Sequence, residues 1–145
     1  MDAVEIINCL QEKGERITMP RRLVIETLGQ FREHLTIKDI QHHINQINNH
    51  HPLSETTIYR VLQWLKEIEI VSQTDMGQDG IVYALMSNPY HHHLICLDCG
   101  GKMMIGDELF DSLRKQLNQE YGFEARIDHM AIYGHCTRCQ KESSE

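Results

Sequence analysis

A chain of 145 residues that is 41% hydrophobic and 24% charged has ordinary globular composition, room for two small domains, and apolar runs far too short to span a bilayer. Its net charge of −7 excludes an overall basic footprint for nucleic acid, but the deficit is uneven: residues 1–70 hold eight basic against ten acidic side chains, residues 71–145 six against eleven. Five cysteines, four of them in two CxxC pairs, point to metal binding in a reducing cytoplasm and away from a disulfide framework.

The N-terminus shows amphipathic periodicity from the start and lacks a basic region followed by an apolar block, so no secretory signal is expected. Val4, Ile7 and Leu10 predict a short first helix ending near Gly14. Thr18 as a cap with Pro20 in the first turn starts a second, whose inner face is Val24, Thr27, Leu28 and Phe31. A third runs from Thr36 with Ile37, Ile40, Ile44 and Ile47 on one stripe, and Pro52 stops it. Ser54 caps a fourth, in which Ile58, Val61, Leu62, Leu65 and Ile68 form the buried stripe. Its opposite face holds Thr56, Tyr59, Arg60 and Gln63. That set offers hydrogen-bond donors at the spacing of base edges and phosphates, where a solvated helix usually mixes Glu and Lys. Arg16, Arg21 and Arg22 add to Arg60 as an N-terminal cluster of basic residues.

Val71 to Thr74 and Ile81 to Leu85 are β-prone runs around a glycine-containing turn, so helices followed by a hairpin outline a winged helix-turn-helix. Met86 to Tyr90, with Asn88-Pro89, reads as a linker. Beyond it, His93 to Leu97 and Lys102 to Ile105 are predicted strands. Asp107 to Gly122 is a predicted helix with Phe110, Leu113, Leu117 and Tyr121 inward, and alternation from Phe123 to Tyr133 predicts one long strand. From Met130 onward both faces of that strand are apolar, which calls for cover from a second subunit.

Two residues between cysteines let both thiolates of a pair reach one ion, so Cys96, Cys99, Cys136 and Cys139 supply the closed tetrahedral shell of a structural zinc. The 36 residues between the pairs make that ion a staple across a helix and several strands. Cys9, alone on the first helix, reads as a small core residue. The run His91-His92-His93, if extended, turns two imidazoles to one side and one to the other; imidazole suits Zn(II), Fe(II), Mn(II) or Ni(II), with nearby carboxylates biasing toward iron or manganese. An enzyme is not expected: four thiolates leave no open metal position, and no nucleophile with a base, carboxylate pair or phosphate loop stands elsewhere.

Gly14 to Arg21 (GERITMPR), Ser54 to Leu62 (SETTIYRVL), His91 to Gly100 (HHHLICLDCG) and Tyr133 to Cys136 (YGHC) with Cys139 follow in an order and at separations that resemble the ferric uptake regulator family. The resemblance runs from about residue 10 to residue 140. It implies an α+β chain: a winged-helix DNA-binding domain over 1–86, a hinge over 87–90 and an α/β dimerisation domain over 91–145 that carries the four-cysteine zinc. It further implies a cytoplasmic homodimeric repressor of metal-homeostasis genes. Such a repressor binds palindromic double-stranded DNA operators when loaded with a regulatory metal, needs no membrane, and takes no small-molecule substrate beyond metal ions. Tyr59 and Arg60 would touch DNA and Arg16 the backbone or minor groove, with Arg21, Thr56 and Thr57 completing the candidate contacts.

The regulatory metal, Fe(II) or Zn(II) before Mn(II) or Ni(II), would sit on His34, His91 and His93. Ala84, Ser72 and Met86 stand where members of the family carry further ligands, so the shell needs another, for which Asp75, Asp79 or His92 are the candidates. An additional family site would take His92 with Asp111 and either Asp128 or His129, although Tyr90 stands where many members have histidine. Two alternatives stay open at this point: a peroxide-sensing member of the same family, and a metal-independent DNA-binding regulator whose sensory site has decayed.

Overall fold

The computed structural model of the chain describes residues 2–31, 34–86 and 91–143. The chain forms two compact units, Met1–Gln73 with Gly77–Asn88, and Thr74–Met76 with Pro89–Glu145. The hinge expected at 87–90 lies outside the described residues, and with it Tyr90 and Asn88-Pro89.

In the first unit four helices precede a two-stranded sheet: α1 (Ala3–Glu12), α2 (Met19–Gln30), α3 (Ile37–Ile47), α4 (Glu55–Glu67), β1 (Val71–Asp75) and β2 (Ile81–Leu85). Each helix starts where a side-chain oxygen satisfies an orphan backbone N–H. Asp2 caps α1 and Thr36 caps α3, both in reciprocal capping boxes with Glu5 and Asp39, while Thr18 and Ser54 accept from the amides of Arg21 and Thr57. The apolar stripes meet in one core, with Val24, Ile25, Ile40, Ile58, Leu62 and Leu65 wholly removed from solvent. Burial of such a side chain stabilises by about 1.5–3 kcal/mol before entropy is counted. The stripes stop short of their predicted ends: Val4 and Ile47 are exposed, and Ile6 and Ile25 take up core positions that the periodicity did not single out. Leu35 joins the hairpin by a backbone bridge to Tyr83, its N–H and C=O both paired at 2.9 and 2.8 Å.

The second unit is built on β3 (His91–Cys96), flanked by β4 (Lys102–Gly106) antiparallel on one side and β5 (Ala131–Gly134) parallel on the other. A 3-10 turn at Asp107–Phe110 leads into α5 (Asp111–Tyr121), which Gly122 ends in the left-handed conformation, φ 60°. A short α6 (Thr137–Ser143), not foreseen in the sequence, follows Cys136.

Two expectations are corrected here. The alternating run from Phe123 does not form a long strand; only Ala131–Gly134 pairs, because in the parallel register β3 begins at His91 and offers no ladder partner to 123–128. The face of α5 predicted as inward is also largely open: Leu113 is 44% and Tyr121 74% exposed, and Phe123 beyond the helix 60%. Periodicity identifies an apolar face but not what covers it.

Candidate metal centres and nucleic-acid face

The central strand β3 carries both donor clusters of the second unit, one at each end. At its C-terminal end Cys96 starts a tight turn. The Cys96 N–H donates to Gly101 O at 2.9 Å, the Gly100 N–H donates to Cys96 O at 3.0 Å, and Gly100 takes φ +69°, which a side chain disfavours. The parallel register of Cys96 with Gly134 brings the second CxxC alongside, and one sulfur from each of Cys96, Cys99, Cys136 and Cys139 lies within 4.8 Å of the others. The Cys99 and Cys136 sulfurs are 3.9 Å apart, against roughly 3.8 Å between thiolates on a tetrahedral ion with 2.3 Å bonds.

The electrostatics prepare the same cluster for a cation. Backbone N–H groups of Cys136 and Cys99 on the Cys96 sulfur bring its thiol down to about 6. The neighbouring Cys136 thiol, burial and the other two sulfurs push Cys139 up to about 12. Four thiols this close cannot all ionise without a positive charge between them, so the donor set fits a dication. Arg138, whose guanidinium is held charged by Cys99 and the thiols around it, offsets part of the charge. Asp98 and His135 join the two knuckles at 2.7 Å, and that contact holds the imidazole protonated above its usual range.

At the other end of β3, period-two alternation turns His91 and His93 to one face and His92 to the other. The His91 and His93 rings lie 5.0 Å apart, centroid to centroid. Because His93 pairs with Ala131 on β5, the residue two earlier, His129, comes alongside His91, and its ring is 4.7 Å from each of the other two. One nitrogen from each of the three rings lies within 4.8 Å of the others.

In the first unit α4 buries Ile58, Val61, Leu62 and Leu65 and turns Thr56, Tyr59 and Arg60 to solvent, Tyr59 being 49% exposed. Thr57 is half-buried and bound to the Ser54 cap at 3.0 Å. Arg16 is exposed. Arg21 is occupied internally, with its guanidinium 3.6 Å above the Trp64 ring and donating to Arg16 O at 2.8 Å. It thereby ties the start of α2 to α4.

The pattern of an exposed helix face, a hairpin, a four-thiol cluster and a β3 bearing His91 to His93 agrees with comparison to known proteins. The family model of the ferric uptake regulator family matches residues 12–133. The chain belongs to that family. Among its relatives, the ferric uptake regulation protein of Campylobacter jejuni is 27% identical over 94% of this chain and 87% of its own length, and that of Yersinia pestis 28% over 93% and 92%. The solved ferric uptake regulator of Vibrio cholerae superposes with a TM-score of 0.61 at 26% identity, covering 89% of this chain and 98% of its own. That of Helicobacter pylori gives 0.67 at 23%, covering 95% and 91%, and shows the fold.

As a ferric uptake regulator family member the chain is a metal-responsive DNA-binding transcription regulator and not an enzyme. His92, fully buried, accepts from the Met130 N–H at Nδ1 (3.1 Å), so its proton sits on Nε2 and is given to Asp107 at 2.7 Å. Both ring nitrogens are thus engaged. Arg114 donates to the same Asp107 oxygen at 2.7 Å and to Asp111 at 3.1 Å, and its guanidinium, followed by His92, holds the Asp107 carboxyl below the usual range. Asp128 pairs with Arg126 at 2.8 Å, and His129 stands with His91 and His93. His92 with Asp111 and either Asp128 or His129, the set expected to share an additional ion, does not form a donor group among the described residues. An internal cation, Arg114, bridges two acids there, and the spacing 107, 111, 114 on one helical face is the sequence signal that would have found it.

Proposed function

We propose that this regulator is a homodimeric repressor of metal-ion homeostasis genes in the cytoplasm, whose first unit reads palindromic operators and whose second unit is set by a regulatory divalent ion. Tyr59, Arg60 and Thr56 on α4 contact DNA, helped by Arg16; Arg21 and Thr57 position that surface through Trp64 and the Ser54 cap. Cys96, Cys99, Cys136 and Cys139 hold a structural zinc. His91 and His93 hold the regulatory ion. The observation that carries the reading is the presence in the second unit of two separate donor sets, a closed thiol cluster and an imidazole group, since a closed shell staples and an open one exchanges. A solved relative is a zinc uptake regulator complexed with zinc and DNA, and another is a zinc-bound manganese uptake regulator.

Dimerisation is supported by the apolar side chains that the second unit leaves in solvent, among them Met103, Met104, Leu113, Tyr121 and Phe123, between 44% and 74% exposed. A palindrome read by two copies is the symmetry such a surface serves. No helix among the described residues is long and apolar enough to cross a membrane.

The test is operator binding by fluorescence anisotropy on DNA upstream of the chain's own gene and of neighbouring transporter genes, with Fe(II), Zn(II), Mn(II) and Ni(II) each added in turn and then chelated. Metal is expected to tighten binding about tenfold to a hundredfold, and Arg60→Ala to abolish it while the fold and dimer persist. Unchanged affinity on chelation overturns the switch in favour of a metal-independent regulator. Normal binding by Arg60→Ala overturns the role of α4.

A peroxide-sensing role is the second reading, favoured by the match to a peroxide-sensing regulator of Streptococcus pyogenes, 28% identical with a TM-score of 0.52. Loss of operator binding on peroxide treatment of the Fe(II) form, with the Zn(II) form unaffected, would establish it.

A further inference from the structure

We propose that His129 is a ligand of the regulatory ion together with His91 and His93, and that this imidazole set selects a zinc- or nickel-like divalent ion over Fe(II) or Mn(II). The inference rests on the reading of His91 and His93 as the regulatory centre. It supplies the ligand that Ala84 cannot, from a residue 36 positions beyond His93 that no motif marks.

The proton arrangement on His129 carries the argument. The Thr74 hydroxyl lies 2.6 Å from the carbonyl oxygen of His129 and 2.8 Å from its Nδ1. A carbonyl only accepts, so the single hydroxyl proton goes to it. The hydroxyl oxygen then accepts from Nδ1, which must carry the ring proton. Nε2 is therefore the nitrogen with a lone pair, and it is buried from solvent, on a ring whose centroid is 4.7 Å from those of His91 and His93. A second oxygen that fixes the tautomer and aim of an imidazole is the arrangement that metal-binding histidines need. His129 and His93 are 9% and 7% exposed, so the protein sets their orientation.

The donor set decides the class of ion. The group that draws His91, His93 and His129 together contains no carboxylate among the described residues. His92, an earlier candidate, has both ring nitrogens engaged elsewhere. Oxygen-rich shells suit manganese and ferrous iron, whereas shells of neutral imidazole favour zinc, nickel and copper.

The experiment uses the full chain loaded with one equivalent of zinc, titrated anaerobically with Zn(II), Ni(II), Mn(II) or Fe(II), with bound metal measured by equilibrium dialysis and elemental analysis. The wild type is expected to take up a second equivalent of Zn(II). His129→Ala should weaken that equivalent by about a hundredfold and Thr74→Val by about tenfold, each retaining the first equivalent as evidence that the second unit is folded. His129→Asp should narrow the Zn(II)/Mn(II) affinity ratio by about tenfold. If His93→Ala loses the second equivalent while His129→Ala keeps it at wild-type affinity, His129 is not a ligand and the regulatory centre stands without it. An unchanged ratio in His129→Asp overturns the selectivity. A wild type that binds no second equivalent of any of the four metals overturns the regulatory reading itself.

Discussion

The two units of this chain are stabilised by different means. The first buries a continuous core from Ile6 to Leu85 in which many side chains are wholly out of solvent. In the second, apart from two cysteines, the buried hydrophobic side chains among the described residues are Met76 and Ile95; the other groups below the same exposure are Thr74, His92, His93 and His129. A unit of this size without a core needs a staple. The first unit therefore gains its stability from its own apolar side chains, and in the second the proposed ion and the proposed second copy would supply what its few buried apolar side chains do not. On the proposed reading, metal responsiveness is placed in the unit with the smaller core, where a bound ion adds most to stability.

The largest expected effect that would break this contrast is removal of the zinc proposed at the four thiols. Chelation at high temperature, or Cys96→Ser, is expected to unfold the second unit cooperatively while amides of α2 and α4 keep their protection, as read by hydrogen exchange. Loss of protection in both units together would show that the first is not self-sufficient. Next in size, Leu62→Ala should cost the first unit about 2–5 kcal/mol in denaturant unfolding without changing the zinc content. A smaller loss, with the midpoint tracking zinc content, would reverse the assignment of cores.

The smallest effect sharpens the account of the second unit. Arg114→Ala leaves Asp107 and Asp111 without their shared cation and should cost roughly 1–3 kcal/mol near neutral pH. The folded Asp107 carboxyl lies below its unfolded value because of Arg114 and then His92, so its contribution is present above the unfolded carboxylate range. That contribution is lost as pH falls through the folded value. The difference between wild type and Arg114→Ala should accordingly shrink in acid, measured as unfolding midpoints from pH 7 to pH 3. A pH-independent difference would mean that Arg114 acts by packing alone.

Much of this was legible without coordinates. The caps at Thr18, Thr36 and Ser54, the buried stripe of α4 and the spacing within each CxxC are short-range facts, set by residues two to four apart whose geometry the backbone fixes. Alternation from Phe123 reports which faces are apolar, whereas pairing depends on a partner strand, and β3 begins only at His91, after the positions that 123–128 would pair with in the parallel register. Arg21, expected among the DNA contacts, lies over the Trp64 ring, a partner too distant in sequence for any local spacing to mark.

The histidines divide the same way. The sequence by itself determined that His91 and His93 share a face and His92 takes the other, because a strand alternates with period two. Only the tertiary structure decided which residues meet those faces. The parallel register of β3 with β5 brings His129 to His91 and His93, and α5 brings Arg114 to the acids beside His92. Contacts across dozens of residues depend on strand register and helix placement, and these are settled by the packing of the whole unit rather than by any local spacing.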